Sequence, residues 1–206
     1  NIVFFSPSNK LKINKENTEE IKELTIREKM TASIQAAECL GNQKEYLKAA
    51  EEYKKLMVEK DYQESLPEFI VRYGELLKLG EKMTEARAAF RKAIQDYPRT
   101  VYTARSYFHL GDDEQVRRRA YEQALVYYDS SFVSKPNSTW GQDSRERRDA
   151  LRRMLALNNA NEKIKSDTAE VVQKRFFDSE FQIAELFLFK LSEVDSAIQR
   201  LDAIIE

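Results

Sequence analysis

The chain has 206 residues, of which 42% are apolar and 33% are charged, and its formal net charge is −1. This length suffices for one domain or one solenoid, and a near-neutral chain does not attract nucleic acid or an anionic membrane through its overall charge. With five glycines and four prolines, against average usages of about 7% and about 5%, the composition favours a mostly helical protein.

Two helices are predicted in the N-terminal part of the chain. Residues 1–16 read as an extended arm, and the first helix is expected from Asn17 to about Leu40, where Gly41 breaks it. The second helix follows from about Lys44. The lone cysteine, Cys39, falls on the pattern of the first helix and is expected to be a buried structural thiol.

The segment from Ser65 to Pro98 carries the clearest pattern. Small and apolar residues recur with the spacing of one helix face, first over 70–77 and then over 83–94. Ser65 and Glu68 have the spacing of a capping box. Gly80, between the two helices, suits a left-handed turn, and Pro98 ends the second helix. The residues that carry this pattern are Ile70, Tyr73, Gly74, Leu77, Met83, Ala86, Phe90, Ala93 and Pro98.

The pattern recurs along the chain. Ala49, Ala86, Ala124 and Ala197 occupy one register, at intervals of 37, 38 and 73 residues. The third unit needs one extra residue, placed either near Asp112–Glu114 or in the Arg117–Arg119 turn. The last interval is close to two periods, so one irregular helical pair is expected over about 139–175.

These residues resemble the tetratricopeptide repeat, a helix–turn–helix unit of about 34 residues. The resemblance implies an all-α fold, a right-handed superhelix that is a solenoid of antiparallel helix pairs. The expected organisation is an extended arm (1–16), three helix pairs (17–136), an irregular helical pair (137–177) and a C-terminal pair (178–206). Stacked repeats of this kind serve as binding surfaces. We therefore expect a non-catalytic scaffold or adaptor that binds a protein or peptide segment on its concave face.

A finer resemblance points to the bacterial cell envelope. Tyr97–Ala104, followed by Phe108, Leu110 and Gly111, is similar to repeats of outer-membrane assembly lipoproteins and of periplasmic Tol–Pal-associated repeat proteins. The alternative function that it implies is a structural component of an envelope complex. It also implies a periplasmic or outer-membrane-associated location, and membrane contact only through a lipid anchor that precedes this chain.

The sequence shows no catalytic pattern. It lacks a Gly-rich phosphate loop, a nucleophile elbow and metal-ligand spacing, and its single histidine, His109, lies beside Phe108 and Leu110 as a structural residue would. We expect no enzyme activity, no cofactor, no metal and no small-molecule substrate.

The resemblance also places candidate binding residues on the first helix of each pair. A carboxylate clamp of the chaperone-cofactor type would need Lys or Arg where Ile34, Val71 and Phe108 stand, so an apolar partner segment is expected instead of an acidic tail. Packing between adjacent first helices is the competing interpretation of these three residues. The predicted concave face comprises Ile34, Glu38, Val71, Glu75, Lys78, Arg105, Phe108 and Asp112.

Clustered arginines are the strongest local basic feature. One interpretation is a surface that binds RNA or another polyanion, and the favoured one is a salt-bridged helix surface, because acidic residues are interleaved. The arginines concerned are Arg117, Arg118, Arg119, Arg145, Arg147 and Arg148.

Overall fold

The computed structural model describes residues 7–163 and 169–205, with side chains for 22–161 and 171–205. These residues contain nine α-helices and no β-strand, which confirms the all-α fold. The handedness of the superhelix stays a prediction. The helices are α1 (Pro7–Asn42), α2 (Tyr46–Leu56), α3 (Leu66–Leu79), α4 (Met83–Asp96), α5 (Val101–Asp112), α6 (Tyr121–Ser134), α7 (Thr139–Lys163), α8 (Ala169–Leu186) and α9 (Val194–Ile205). A 3₁₀ turn covers Lys60–Ser65, and π-helical turns cover Asp113–Arg117 and Phe187–Leu191.

The chain forms two compact units, residues 1–89 and 90–206, with the boundary inside α4. In the first unit α2 packs against both α1 and α3. Ala37, Tyr53, Leu56 and Phe69 form the core there, and the ring centroids of Tyr53 and Phe69 are 5.9 Å apart.

In the second unit α6 packs against α5 and α7, and α8 packs against α9. A single core joins helices α6 to α9 and the π-helical turn before α9. It consists of Ala124, Tyr128, Ala150, Leu151, Met154, Ile183, Ala184, Phe187, Leu191 and Ala197.

The predicted repeat register is confirmed. Ala49, Ala86, Ala124 and Ala197 are all buried, and each is the fourth residue of its helix, in α2, α4, α6 and α9 respectively. A small residue at this point lets the start of the second helix lie close against its neighbours. The sequence spacing therefore identified equivalent positions in four helices.

A left-handed residue stands two positions before each of these four helices. Lys44, Glu81, Arg119 and Ser192 all have positive φ, between 54° and 62°. The sequence assigned this role to Gly80, which is wrong, because φ of Gly80 is −84°.

Gly80 lies close to Leu47, whose exposed side chain can shift. A Cβ atom on Gly80 would lie 2.5 Å from Cδ2 of Leu47, well inside van der Waals contact. In this loop Gly80 allows the close approach of Leu47, and Glu81 has the left-handed conformation that the sequence assigned to Gly80.

We expect Glu81→Gly to raise the free energy of unfolding by up to about 1 kcal/mol, because glycine adopts positive φ without steric cost. Urea denaturation measures the change. Glu85→Gly, on the exposed face of α4, is the matched control and is expected to cost about 1 kcal/mol. Destabilisation by both substitutions would contradict the assigned strain.

Three local expectations in the first unit are corrected. α1 begins at Pro7 instead of Asn17, because 7–16 contains three lysines, a leucine and a glutamate and no glycine or further proline, so these residues are no extended arm. Residues 1–6 of that arm lie outside the described residues.

Ser65 makes no capping hydrogen bond, because it is the last residue of the 3₁₀ turn and has a helical conformation. Cys39 is exposed, since the buried face of α1 passes through Ala37.

The expected irregular pair over 137–177 is replaced by one long helix and part of another. α7 extends unbroken from Thr139 to Lys163, and α8 crosses the boundary drawn between 177 and 178. Since α8 pairs with α9, α7 stands as a single helix between α6 and α8. The sequence interval was right, but it contains no additional pair.

The extra residue of the third unit is absorbed by the π-helical turn at Asp113–Arg117. Such turns accommodate one additional residue within a helix. The turn directs Gln115 into the core, where its Nε2 donates to the Leu191 carbonyl oxygen at 3.2 Å and to Oε1 of Glu193 at 2.7 Å. The hydroxyl of Tyr128 donates to Oε1 of Gln115 at 2.8 Å. The insertion therefore supplies a buried hydrogen-bonding group.

Tyr128 makes folding sensitive to alkaline pH. Burial raises the pKa of its hydroxyl above the ordinary value of 10.0. Because the unfolded state then loses this proton at lower pH than the folded state, the contribution to stability is complete below about pH 10 and falls as pH rises further. Urea denaturation between about pH 8 and about pH 11 should show a smaller loss for Tyr128→Phe than for wild type. Tyr107→Phe controls for the loss of a phenol, and equal pH dependence in Tyr128→Phe and wild type would contradict the assignment.

Candidate functional site

A groove opens between α1, α2 and α3 of the first unit. Its volume is about 470 Å³. The residues that line it are Ala37, Glu38, Gly41, Asn42, Tyr46, Tyr53, Arg72, Glu75, Leu76 and Leu79.

The groove combines an apolar floor with an acidic rim. Leu76 and Leu79 supply aliphatic surface from α3. Arg72, the one cation among the lining residues, lies 3.6 Å from Oε2 of Glu75 and 3.9 Å from Oε1 of Glu68. Glu38 is exposed on the α1 side and forms no ion pair with another described residue. The rim therefore carries net negative charge.

Tyr53 also lines the groove, and its hydroxyl is influenced by the charged groups of the rim. Burial raises the pKa of the Tyr53 hydroxyl, the positive charge of Arg72 opposes that rise, and the carboxylates of Glu38, Glu68 and Glu75 add to it. All four charged groups thus act on one hydroxyl. The arrangement can hold an apolar side chain over the leucines and accept hydrogen bonds from a donor at the rim.

Two of the predicted binding residues line this groove, and one is excluded. Glu38 and Glu75 lie on the rim. Ile34 is half-buried against the core of the first unit, and Lys78 is half-buried at the end of α3. Val71 has no exposed surface, so the structure corrects its assignment to a binding face, in favour of the packing interpretation.

The predicted residues on α5 pack within the second unit. The Phe108 ring centroid is 5.1 Å from that of Trp140 on α7, and the Arg105 guanidinium lies 5.1 Å from the Trp140 ring. Oδ1 of Asp112 is 3.5 Å from Nη1 of Arg147, whose guanidinium also lies over the Phe108 ring. Phe108 therefore follows the packing interpretation, and Arg105 and Asp112 belong to the same α5–α7 contact.

Sequence reasoning identified Glu75 but missed the other residues that α3 supplies to the groove, Arg72, Leu76 and Leu79. Arg72 and Leu76 are four residues apart, as are Glu75 and Leu79, and three residues separate Arg72 from Glu75, which places all four on one face of α3. This spacing was available in the sequence. Leu76 and Leu79, two leucines outside the predicted face at 70, 73, 74 and 77, are the signal that would have identified it.

The six arginines of the polyanion hypothesis all contact carboxylates. Arg117 and Arg118 lie within 4 Å of Asp113, Arg119 pairs with Glu193, and Arg145 lies 4.0 Å from Asp149. Arg147 pairs with Asp112, and Arg148 pairs with Asp129 and Asp149 at 2.8 and 2.9 Å. The favoured interpretation, a salt-bridged helix surface, describes these contacts.

Among the residues that the structure describes, no three His, Cys, Asp or Glu side chains are grouped so as to hold a metal ion. None of the helices found there combines the length and the apolar character that crossing a bilayer requires.

The comparisons with known proteins bear on the segment that forms α3 and α4. No curated protein and no solved structure matches the chain. Residues 69–100 match the tetratricopeptide repeat family, whose repeats are non-catalytic modules of protein–protein interaction. The chain thus contains a segment similar to a tetratricopeptide repeat within an all-α helical fold.

Proposed function

We propose that this protein is a non-catalytic interaction module that binds a segment of a partner protein in the groove between α1, α2 and α3. The observation that carries the proposal is the groove itself, with a volume of about 470 Å³, an apolar floor and a charged rim. The similarity of 69–100 to a protein-interaction repeat supports it.

The lining chemistry narrows the class of partner. Leu79, part of the groove floor, is 56% exposed, and a bound apolar side chain would cover it. The carboxylates of Glu38 and Glu75 disfavour an acidic tail. An apolar segment without clustered acidic residues fits both features.

The alternatives have less support. Binding of RNA or another polyanion would need the six arginines to exchange their carboxylate partners for phosphates. The matched family is the general repeat, so the envelope role and the periplasmic location stay predictions from the resemblance of 97–111.

Site-specific photo-crosslinking tests the groove. p-Benzoylphenylalanine replaces Leu79 in one variant and Val58 in another, and the proteins are irradiated in extract of the native host. Val58 is the matched control, because it is an apolar residue of the same unit, is 75% exposed and lies outside the groove lining. We expect a discrete crosslinked protein from position 79 and none from position 58.

A charge reversal at the groove rim completes the test. Glu38→Arg in the variant crosslinked at position 79 should weaken that crosslink, because it replaces a carboxylate that can accept hydrogen bonds from the partner. The core of the unit is unchanged by this substitution. Equal crosslinking from both positions, or no effect of Glu38→Arg, would contradict the proposed site.

A further inference from the structure

The C-terminal helix presents an apolar stripe to solvent. Val194, Ile198 and Ile205 are 55%, 49% and 82% exposed, and they share one side of α9 with Asp202. Steps of four, four and three residues place these side chains in a line. We name these four residues the α9 outer face.

The repeat register identifies the same face on α6. Aligning Ala197 with Ala124 places Ile198 on Leu125, Asp202 on Asp129 and Ile205 on Phe132. The two helices therefore carry an aliphatic residue, an aspartate and a large apolar residue at equivalent positions. On α6 these residues are partly buried, whereas on α9 they are exposed.

Helix α7 is what covers the face of α6. Leu125 packs against the core to which α7 contributes Leu151 and Met154. The guanidinium of Arg148 lies 5.3 Å from the centroid of the Phe132 ring. The occupant of this face is thus an amphipathic helix with an apolar stripe.

The same helix neutralises the aspartate. Nη1 of Arg148 is 2.8 Å from Oδ1 of Asp129, and Nη2 of Arg152 is 2.9 Å from Oδ2. Two arginines one turn apart therefore share one carboxylate. Asp202, the equivalent residue on α9, is exposed and forms no ion pair within the part of the chain that the structure describes.

We propose that the α9 outer face binds a helix of a partner protein in which two basic residues, one turn apart, flank an apolar stripe. This is the chemistry that α7 presents to α6. The basic pair would hold Asp202, and the stripe would cover Ile198 and Ile205.

A second copy of this chain is a poorer occupant. Pairing two α9 helices would bring together the exposed carboxylates Asp195 and Asp202 of both copies. Arg200, the one cation of α9, is bound to Glu180 at 3.0 Å and is not available to them. Like charges at a contact lower affinity.

Binding of a defined peptide to the full chain tests the proposal. The probe is a labelled synthetic peptide with the sequence of α7, residues 139–163, and fluorescence anisotropy measures its affinity. We expect saturable binding that Asp202→Arg weakens by about tenfold or more, the scale of a lost charge pair. Asp143→Arg, an exposed aspartate of α7 in the same unit, is the matched control and should leave the affinity unchanged.

A charge swap provides the decisive comparison. A peptide carrying Arg148→Glu and Arg152→Glu should bind wild type weakly and should regain affinity for Asp202→Arg. No binding at about 1 mM peptide, equal affinity of wild type and Asp202→Arg, or dimerisation that Ile198→Asp abolishes would each overturn the proposal. The α1–α3 groove lies in the first unit and is unchanged in Asp202→Arg, so the two proposals fail independently.

Discussion

Gly111→Ala is expected to lower the free energy of unfolding by about 1–3 kcal/mol. This is the reverse of the usual effect, since alanine is favoured over glycine in a helix by about 1 kcal/mol. Gly111 lies in α5 with ordinary helical backbone, and a Cβ atom there would stand 2.8 Å from Cδ1 and Cε1 of the Tyr128 ring. The ring has no exposed surface and its hydroxyl is bonded to Gln115, so it has little room to move.

Gly41→Ala is the matched control. Gly41 is also helical, in α1, but the nearest atom to an added Cβ is Cδ2 of Leu76 at 3.7 Å, an ordinary contact. Urea denaturation should therefore give stabilisation for Gly41→Ala and destabilisation for Gly111→Ala. Stabilisation by both substitutions would show that the Tyr128 ring yields.

Glu193→Ala is expected to lower the free energy of unfolding by about 2–3 kcal/mol. The buried carboxylate accepts hydrogen bonds from Gln115, Arg119 and Ser196. Removing it leaves these donors without their acceptor in a protected site. Because Arg119 is almost half exposed, water can accept its hydrogen bond in the variant, so the loss of stability is smaller than for a fully buried pair.

Two further variants separate charge from packing. Glu193→Gln keeps the shape and one acceptor oxygen and should cost less than Glu193→Ala. Glu185→Ala, on the exposed face of α8, should change stability by no more than about 0.5 kcal/mol. Thermal or urea unfolding measures all three, and similar values for Glu193→Ala and Glu185→Ala would contradict the role of the buried network.

The repeat register was predictable because it depends on local spacing. Ala49, Ala86, Ala124 and Ala197 needed only the period of helices and the small size of alanine. The left-handed positions were less accessible, since Lys44 and Glu81 have side chains that ordinarily avoid positive φ and give no compositional signal. Their identity follows from the distance to the next helix, a geometric property of the folded loop.

The candidate site was half predictable. Glu38 and Glu75 follow from the resemblance, but Val71, one turn before Glu75 on the predicted concave face, is buried, because the repeat pattern does not specify which neighbours cover a given residue. The covered and uncovered faces of α6 and α9 show the same limit. Asp129 and Asp202 look alike in sequence, and only the fold shows that two arginines reach one of them.

The π-helical turn at Asp113–Arg117 ties the length of the third unit to the chemistry of its core. Deleting one residue there would restore an unbroken α-helix, but it would also rotate Gln115 by about 100° around the helix axis. Its amide would then turn away from Tyr128 and Glu193. A deletion at this turn should therefore be selected against, because it would leave buried groups without their hydrogen-bond partner. Natural variants of this protein should therefore change length in surface loops such as Lys135–Ser138 sooner than at this turn.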